Sequence, residues 1–483
     1  MTPHRSTHAS PVPSARADAA ERMAPPLGIS IYERLSGRRP WSEMRRLQSL
    51  QWETADQLET LGMRRLRQLL EHAVAHVPYY RRLFAEAGIR PGDIRSPADL
   101  ACLPTTSKLD LRVRFPEQVV APHLVRRGHR TSTSGSTGVP FEFFADRSAQ
   151  ERVLGSYLFF RHWAGASLGL SVVYVSTGLM YSLPSIARTS AVRQAARRLL
   201  LGERLLRLSG IELDPRALQR HIGRLPAHHG FFLLGFPSYI AHVAAALVES
   251  GLELPSYPRL VLCYAESLTA ADATIIERAF RAPVVNHYSA QEMPHLAQSC
   301  PDNPTLLHVN SERAIVRVVR SDGRPAEVGE TGDVVLTDLW NEVMPLINYA
   351  IGDRAAPGGP CPCGRGFATL ARIEGRASEL IRTPSGRIIS PTTLGSFILC
   401  LCEGLPYVWE YQAVQTSADA VVLRIVPTPR FDPEIGRRMR DSFEAFLGPG
   451  VSANVETVDR IPAEPSGKRM IIKSRLPVPS VTP

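Results

Sequence analysis

Lysine is almost absent from this sequence. Of its 56 lysine and arginine residues, only Lys108, Lys468 and Lys473 are lysine. A coding bias towards arginine explains such a depletion, so the positions that keep lysine are enriched for sites where arginine cannot substitute. A lysine ammonium reaches a single oxygen, whereas the arginine guanidinium is a wide planar fork. Lys468 follows the run Pro465-Ser466-Gly467, where glycine frees the backbone to turn this side chain inward.

Long apolar segments are absent as well. No apolar run reaches about 18 residues, so we expect no transmembrane helix. The first 26 residues are rich in Pro, Ser, Ala and Arg and lack the apolar core of a secretory signal. We therefore predict a disordered tail over residues 1–28 and a cytoplasmic location. The 44% hydrophobic and 21% charged residues are ordinary for a globular protein, and 483 residues suffice for two or more domains.

Cysteine is scarce, and its odd count of seven argues against a disulfide framework. In Cys361-Pro362-Cys363 the spacing lets both thiolates face one ion. Cys300 and His308 could complete a tetrahedral Cys₃His set, which is typical of structural zinc. Thiols without a metal are the alternative, and a catalytic zinc is not expected because all four ligands would come from the protein. Cys400 and Cys402 lie in an apolar context that predicts core positions.

The run Thr131 to Pro140 interleaves serine, threonine and glycine. Glycine allows close backbone approach, and successive N–H and hydroxyl groups can then surround a polyphosphate. No lysine follows Gly138, so this is not the phosphate loop of P-loop kinases. Solvated linkers have similar compositions. However, the apolar, strand-like Pro140 to Phe144 follows directly, which favours an anchored nucleotide-triphosphate loop.

The coarse periodicity divides the chain into three parts. Residues 29–125 are predicted to be largely helical, with apolar periodicity over Leu61 to Leu70. From residue 130 to about 372, strand-like runs alternate with helical segments, which predicts an α/β fold with parallel strands. After Gly375-Arg376 the pattern indicates a small α+β region. We thus expect a large N-terminal domain over 29–375 and a small mobile C-terminal domain over 376–483.

Several motifs in one order resemble the adenylate-forming superfamily, specifically its phenylacetate-CoA ligase branch, which also contains coenzyme F390 synthetase-like and capsule-locus proteins. The serine- and threonine-rich loop is similar to the superfamily's phosphate loop. The other matching runs are, along the chain, His76 to Arg81, Leu103 to Lys108, Tyr288 to Glu292, Thr337 to Leu339, Met344 to Ile347, Tyr349, Gly352-Asp353, Gly375-Arg376 and Ser466 to Lys468.

This resemblance implies an AMP-forming ligase that activates a carboxylic acid with ATP and Mg²⁺ and transfers the acyl group to CoA. Lys468 would neutralise the charge that develops between the carboxylate and the α-phosphorus, and Glu292 would bind Mg²⁺. The resemblance also supports zinc at Cys300, His308, Cys361 and Cys363, because members of this branch often carry such a set. The residues assigned to ATP are Thr133, Ser134, Gly135, Ser136, Thr137, Gly138, Ala265, Glu266, Ser267, Tyr288, Asp353 and Arg376. The expected acid pocket consists of Phe236, Pro237, Ser238, Tyr239 and Ala290 with Tyr288, and its character favours an aryl or short acyl acid.

Departures from the family pattern keep alternatives open. Asn348 stands where arginine is usual, and Ser378 stands where the pivot between the domains is usually aspartate. Ser289 and Gln291 also depart from the motif around Glu292. These changes weaken the CoA assignment more than the adenylation assignment. The alternatives are transfer to an amine, a hydroxyl or a carrier protein, and a non-catalytic nucleotide-binding protein.

The net charge of +10 raises the question of a nucleic-acid partner. Six arginines cluster between Arg188 and Arg207, but aromatic residues for base stacking are absent there. A solvated helix face explains the cluster, and ATP and CoA are themselves polyanions. We therefore expect no nucleic acid among the partners, and leave a homodimer open.

Overall fold

The structure is a computed structural model, and it describes residues 24–132, 141–166, 168–176, 195, 204–209, 215–226, 230–265, 268, 270–320, 322–375, 381–389, 394, 397–398, 408–427, 431–461 and 472–476. The predicted disordered tail lies almost wholly outside these residues. The helices of the described residues are α1 (Leu27–Ser36), α2 (Pro40–Leu50), α3 (Ala55–His76), α4 (Pro78–Ala87), α5 (Lys108–Arg112), α6 (Arg147–Trp163), α7 (Pro215–Gly223), α8 (Pro237–Ser250), α9 (Ala270–Phe280) and α10 (Pro433–Leu447).

The helix ends follow local sequence signals. Thr54 caps α3 in a reciprocal capping box with Gln57, which satisfies N–H groups that the first turn leaves unpaired. Proline at position 78 starts α4, and Gly88 ends it in the left-handed conformation. These signals confirm the helical character predicted for the N-terminal segment.

In the described part of the chain before residue 376, twelve strands form one large sheet. Its strands are β1 (Thr106–Ser107), β4 (Ser171–Ser176), β5 (Leu205–Ser209), β6 (Phe231–Gly235), β7 (Val261–Tyr264), β8 (Val284–Tyr288), β9 (Ala297–Ser299), β10 (Leu307–Val309), β11 (Ala314–Val319), β12 (Gly332–Asp338), β13 (Tyr349–Pro357) and β14 (Thr369–Gly375). Their order is β11-β12-β13-β14-β10-β9-β8-β7-β6-β4-β5, and β1 pairs with β13. A separate hairpin joins β2 (Gly128–Ser132) to β3 (Glu142–Asp146).

The sheet is only partly parallel. β5, β4, β6, β7 and β8 pair in parallel, which confirms the parallel α/β prediction for this half. From β9 to β14 the neighbouring strands are antiparallel, and the expectation of parallel strands is wrong there. Short connections such as the turn between β9 and β10 cannot hold a crossover helix, so these strands pair antiparallel.

The N-terminal helices pack against the antiparallel half of the sheet. Leu66, Leu69, Leu70 and Ala73 of α3 are fully buried in the main hydrophobic cluster. The same cluster contains Phe141, Tyr349 and strand residues of β10 to β14. Burial of an aliphatic side chain contributes about 1.5–3 kcal/mol, so this contact fixes the helical segment to the sheet.

A separate α+β region follows Gly375. It contains the small pair β15 (Ile381–Arg382) and β16 (Ile388–Ile389), and the four strands β17 (Val408–Ser417), β18 (Ala420–Pro427), β19 (Ser452–Thr457) and β20 (Ile472–Ser474), in the order β19-β18-β17-β20. Helix α10 and these strands share their own hydrophobic cluster. The α+β composition is as predicted, while the domain boundary stays a prediction because residues 376–380 lie outside the described residues.

None of the described helices is long and apolar enough to cross a bilayer.

Candidate functional site

Tyr288 and Asp353, which the sequence assigned to one nucleotide site, meet in the structure. Tyr288 is the last residue of the parallel strand β8, and Asp353 lies in the antiparallel strand β13. The Tyr288 hydroxyl donates a hydrogen bond of 2.9 Å to Asp353 Oδ2. Ligands of open α/β sheets bind outside the carboxyl ends of their parallel strands, and this hydrogen bond lies at such an end.

Glu292 lies close by, in the loop after β8, and is almost completely buried. The Tyr349 hydroxyl donates to Glu292 Oε1 over 3.1 Å, and Lys108 Nζ lies 3.1 Å from the same oxygen. Strand β1 brings Lys108 here, because Thr106 pairs with Tyr349 and Lys108 follows two residues later as the first residue of α5. An ammonium and a phenol thus balance a buried carboxylate, whose charge would otherwise be costly to bury.

The predicted phosphate loop connects the two strands of the β2–β3 hairpin. Residues 133–140 lie outside the described residues, so the six loop positions from Thr133 to Gly138 are not placed. Both ends of the loop are placed, because Ser132 pairs with Glu142. Phe141, the next described residue, is buried, stacks on Tyr349, and lies with its ring centre 5.5 Å from Lys108 Nζ. The hairpin therefore places Phe141, at the C-terminal end of this loop, beside Lys108, which contacts Glu292.

Aromatic residues gather at the carboxyl ends of β4, β6 and β7. Phe236 stacks on Tyr239 and meets the edge of Tyr264. Tyr264 and Tyr174 share a hydroxyl–hydroxyl hydrogen bond of 2.6 Å. Tyr239 is fully buried in a hydrophobic cluster, so it packs beneath Phe236 and does not face the solvent. The sequence reasoning missed Tyr174 and Tyr264.

The remaining predicted pocket and adenine residues are only partly placed. Pro237 begins α8, and Ser238 follows it in the first turn. Ala290 is half-buried and its N–H donates to Met293 O over 3.3 Å. Ala265 is exposed directly after β7 and has a positive φ of 65°. Glu266, Ser267, Arg376, Ser378 and Lys468 lie outside the described residues.

Asn348 has a local structural role that the sequence did not predict. Its φ is +50°, a left-handed conformation that asparagine tolerates far better than arginine. The side chain is buried, donates to Leu103 O over 2.8 Å, and accepts from Arg317 Nη2 over 2.5 Å. Asn348 thereby ties the N-terminal helical segment to the sheet, while Arg317 supplies a guanidinium from the strand β11.

The four predicted zinc ligands converge. Cys300 follows β9, His308 lies in β10, and Cys361 and Cys363 lie in the connection from β13 to β14. One ligand atom from each lies within 4.8 Å of the others. The Sγ atoms of Cys361 and Cys300 are 3.8 Å apart, and Cys363 Sγ is 3.4 Å from His308 Nε2. A zinc tetrahedron with Zn–S bonds of about 2.3 Å and a Zn–N bond of about 2.0 Å has edges of roughly 3.8 and 3.5 Å.

The surroundings of the cluster orient its side chains. His308 Nδ1 lies 3.2 Å from Phe367 O, a contact in which Nδ1 donates and Nε2 keeps its lone pair for a metal. Burial lowers the pKa of His308 to about 4, so the imidazole is neutral at pH 7. Burial opposes thiolate formation at Cys363, but the Arg365 N–H, 3.4 Å from its Sγ, and the Arg365 guanidinium lower its pKa. The sequence reasoning missed this role of Arg365.

Comparison with known proteins gives one domain match and three related proteins. Residues 381–475 match the model of the CapK C-terminal domain. The phenylacetate-coenzyme A ligase of Thermus thermophilus is 24% identical over 412 residues, covering 80% of this chain and 84% of the relative. The Escherichia coli phenylacetate-coenzyme A ligase is 27% identical over 349 residues, which is 70% of this chain and 75% of the relative. Protein CapK of Staphylococcus aureus is 23% identical over 378 residues, or 77% of this chain and 79% of the relative.

Solved structures agree with these relatives. A 2-hydroxyisobutyryl-CoA ligase in complex with 2-HIB-AMP and CoA, in its thioester-forming state, matches with a TM-score of 0.58. The match has 22% identity and covers 88% of this chain and 91% of that chain. The same ligase in its postadenylation state matches with a TM-score of 0.56. This chain has the fold of that CoA ligase. The phenylacetate-coenzyme A ligase and CapK relatives confirm the resemblance that the sequence motifs indicated.

Proposed function

We propose that this protein is an AMP-forming ligase that activates a carboxylic acid with ATP and transfers the acyl group to CoA. One observation carries the proposal: Lys108 and Tyr349 contact both Glu292 and Phe141, which follows residues 133–140, while Tyr288, four residues before Glu292, bonds to Asp353, four residues after Tyr349. These are the predicted positions for the metal, the nucleoside and the polyphosphate. The relatives named as CoA ligases support the same activity.

The chemistry requires the protein to screen three anions at once, because carboxylate, α-phosphate and pyrophosphate meet in the first step. Residues 133–138 would hold the β- and γ-phosphates through N–H and hydroxyl donors. Asp353, positioned by Tyr288, would accept hydrogen bonds from the ribose hydroxyls. Ala265 and its neighbours 266–267 would lie against the adenine, and Arg376 would reach the ribose or phosphate. Lys468 would act on the charge that develops as the carboxylate attacks.

Glu292 fits the role of a magnesium ligand. Mg²⁺ prefers carboxylate oxygens and keeps several waters, and Glu292 offers a buried carboxylate beside the predicted phosphate loop. When bound, the ion would neutralise phosphate charge. Lys108 contacts the same carboxylate. Its ammonium would partly neutralise the charge of Glu292 and would also present a compact cation to the polyphosphate.

We further propose structural zinc at Cys300, His308, Cys361 and Cys363. The Cys361–Cys300 and Cys363–His308 separations match the edges of a zinc tetrahedron, and the His308 hydrogen bond to Phe367 O orients its ring. Zinc there would tie the turn after β9 to the connection between β13 and β14. The four ligands have no role in the proposed reaction, so the zinc would contribute to the stability of the fold.

The acid pocket is proposed to lie at the aromatic group of Phe236 and Tyr264. Its ring faces favour an aryl or short acyl acid over a charged one. Pro237, Ser238 and Ala290 stay in this proposed pocket, with Tyr239 as its buried support. We place the enzyme in the cytoplasm.

A different acyl acceptor is the second candidate. Residues 381–475 match the CapK C-terminal domain, so the C-terminal region, which would turn between the two steps, resembles a capsule-locus protein. An amine, a hydroxyl or a carrier-protein thiol would then replace CoA. A non-catalytic nucleotide-binding role is disfavoured because Glu292, Asp353 and Lys468 are all retained.

The deciding experiment is an acid-dependent pyrophosphate-exchange screen with the purified full-length protein. Exchange with at least one aryl or short acyl acid is the expected result. Adding CoA to the best acid separates the two candidates, since AMP release should rise with CoA for the first and stay low for the second. ATP binding with no exchange for any acid would overturn the ligase assignment.

A further inference from the structure

Three histidines outside the proposed active site form a cluster on the N-terminal helical segment. His72 and His76 lie one turn apart at the end of α3, and His123 lies in the short 3₁₀ helix Pro122–Arg127. The ring centres of His72 and His76 are 5.0 Å apart, those of His76 and His123 are 4.5 Å apart, and those of His72 and His123 are 5.8 Å apart. One nitrogen from each ring lies within 4.8 Å of the others.

We propose that His72, His76 and His123 bind one late first-row divalent metal ion, such as Ni²⁺, Cu²⁺ or Zn²⁺, with water in the remaining positions. Imidazole nitrogen is the ligand that these ions favour. Three nitrogens at about 2.0–2.1 Å from a tetrahedral ion lie about 3.4 Å apart. His76 and His123 are exposed, so modest rotations of their rings close the remaining gap.

The surroundings prepare this site in two ways. His72 Nε2 lies 2.9 Å from Glu342 O, and a neutral ring in this contact donates through Nε2 and keeps its lone pair on Nδ1. Such a hydrogen bond from a metal-binding imidazole to a carbonyl fixes the tautomer and the ring. His76 is the last residue of α3, and the carbonyl end of a helix dipole attracts a cation.

Both elements that carry the histidines are fixed to the core. Helix α3 buries Leu69, Leu70 and Ala73, and the 3₁₀ helix is anchored where the N–H of Ala121 donates to Val343 O over 2.8 Å. This segment continues directly into β2 and so towards residues 133–140. A bound ion would thus fasten the end of α3 to the segment that leads to the predicted phosphate loop.

The test uses full-length protein without an affinity tag, which is loaded with zinc and then treated with a mild chelator, so that the cysteine site stays occupied while weakly bound zinc is removed from the histidines. Ni²⁺ is then titrated by calorimetry. The wild-type protein should bind one Ni²⁺ per chain at this cluster and melt at a higher temperature with Ni²⁺. His76→Gln and His123→Gln change exposed residues, and each should lower the Ni²⁺ affinity by at least about tenfold.

His129→Gln is the matched control, because His129 is an exposed histidine on the neighbouring strand β2 and should leave Ni²⁺ binding unchanged. With Cu²⁺ as the probe, electron paramagnetic resonance should show coupling to imidazole nitrogens that both variants weaken. Absence of Ni²⁺ binding, or Ni²⁺ binding that survives His76→Gln and His123→Gln, would overturn the proposal. An equal loss in His129→Gln would overturn it as well.

Discussion

Lys108 Nζ lies 3.1 Å from Glu292 Oε1, although the two residues are 184 positions apart in the sequence. The Lys108 side chain is 19% exposed and that of Glu292 is 5% exposed, so the pair faces little water. A carboxylate proposed to bind Mg²⁺ thus already has an ammonium beside it. In the proposed reaction, Mg²⁺ and Lys108 compete for this carboxylate.

This competition makes a prediction about magnesium. Lys108→Gln removes the ammonium, so Glu292 should bind Mg²⁺ more readily and the Mg²⁺ concentration for half-maximal pyrophosphate exchange should fall severalfold. The maximal exchange rate should fall at the same time, by about tenfold or more, since a cation near the polyphosphate is lost. Lys473→Gln, at an exposed position of β20, is the control. An unchanged Mg²⁺ dependence would show that Lys108 does not share the carboxylate with the metal.

The second prediction concerns Lys468. Lys468→Ala should lower acid-dependent pyrophosphate exchange by about 10²–10³-fold while ATP binding stays near the wild-type level. The reason is that the side chain acts on charge that develops in the transition state and not on the nucleotide's ground state. Calorimetric ATP binding measured beside the exchange rate checks both halves. An equal loss of ATP affinity would make Lys468 a binding residue, and a wild-type exchange rate would remove it from the mechanism.

Lys108 and Glu292 also show what the sequence could and could not predict. The rarity of lysine marked Lys108, and a motif marked Glu292, but nothing in either motif says that they touch. Their contact depends on the pairing of Thr106 with Tyr349, which joins distant segments. Likewise the zinc ligands could be chosen from residue types and spacing, whereas Arg365 reaches Cys363 only because the loop folds back.

The parallel half of the sheet was predictable because apolar runs alternated with helical segments of crossover length. The antiparallel half was not, because its short strands β9 and β10 are three residues each and give little periodicity. The direction of such strands is set by their connections and by the packing of α3. Asn348 illustrates the same limit: the sequence marked it as a departure, and its left-handed backbone became visible only in the fold.

The third prediction concerns the zinc cluster. The purified protein should contain about one zinc per chain at the cysteine cluster, by elemental analysis after weakly bound ions are removed. Cys361→Ser should lower the melting temperature by roughly 5 °C or more, because a closed metal site contributes to folding. Activity per folded molecule should change little. Cys102→Ser, at an exposed free cysteine, is the matched control, and metal-free protein of undiminished stability would contradict the assignment.

The fourth prediction concerns Asn348. Asn348→Arg restores the residue usual in the family, yet it should destabilise this protein by about 2 kcal/mol or more, because a large side chain must fit a buried site with positive φ. The Arg317 guanidinium would also face a like charge instead of the amide oxygen. Urea unfolding measures the change. Asn348→Gly keeps the backbone conformation and loses only the side-chain hydrogen bonds, so it should lower the free energy of unfolding by less. An Asn348→Arg variant as stable as the wild-type protein would contradict the prediction.

The last prediction concerns Ser378, where the family usually has aspartate between the two domains. Pivot residues absorb the backbone rotation that separates adenylation from acyl transfer, so a change there should affect the second step selectively. If Ser378 impairs this rotation, the wild-type enzyme should retain its acyl-adenylate and respond weakly to CoA. Ser378→Asp should then raise CoA-dependent AMP release severalfold and leave pyrophosphate exchange unchanged. Rapid CoA-dependent release by the wild-type protein would instead show that serine serves the pivot as well as aspartate does, and that CoA is the ordinary acceptor.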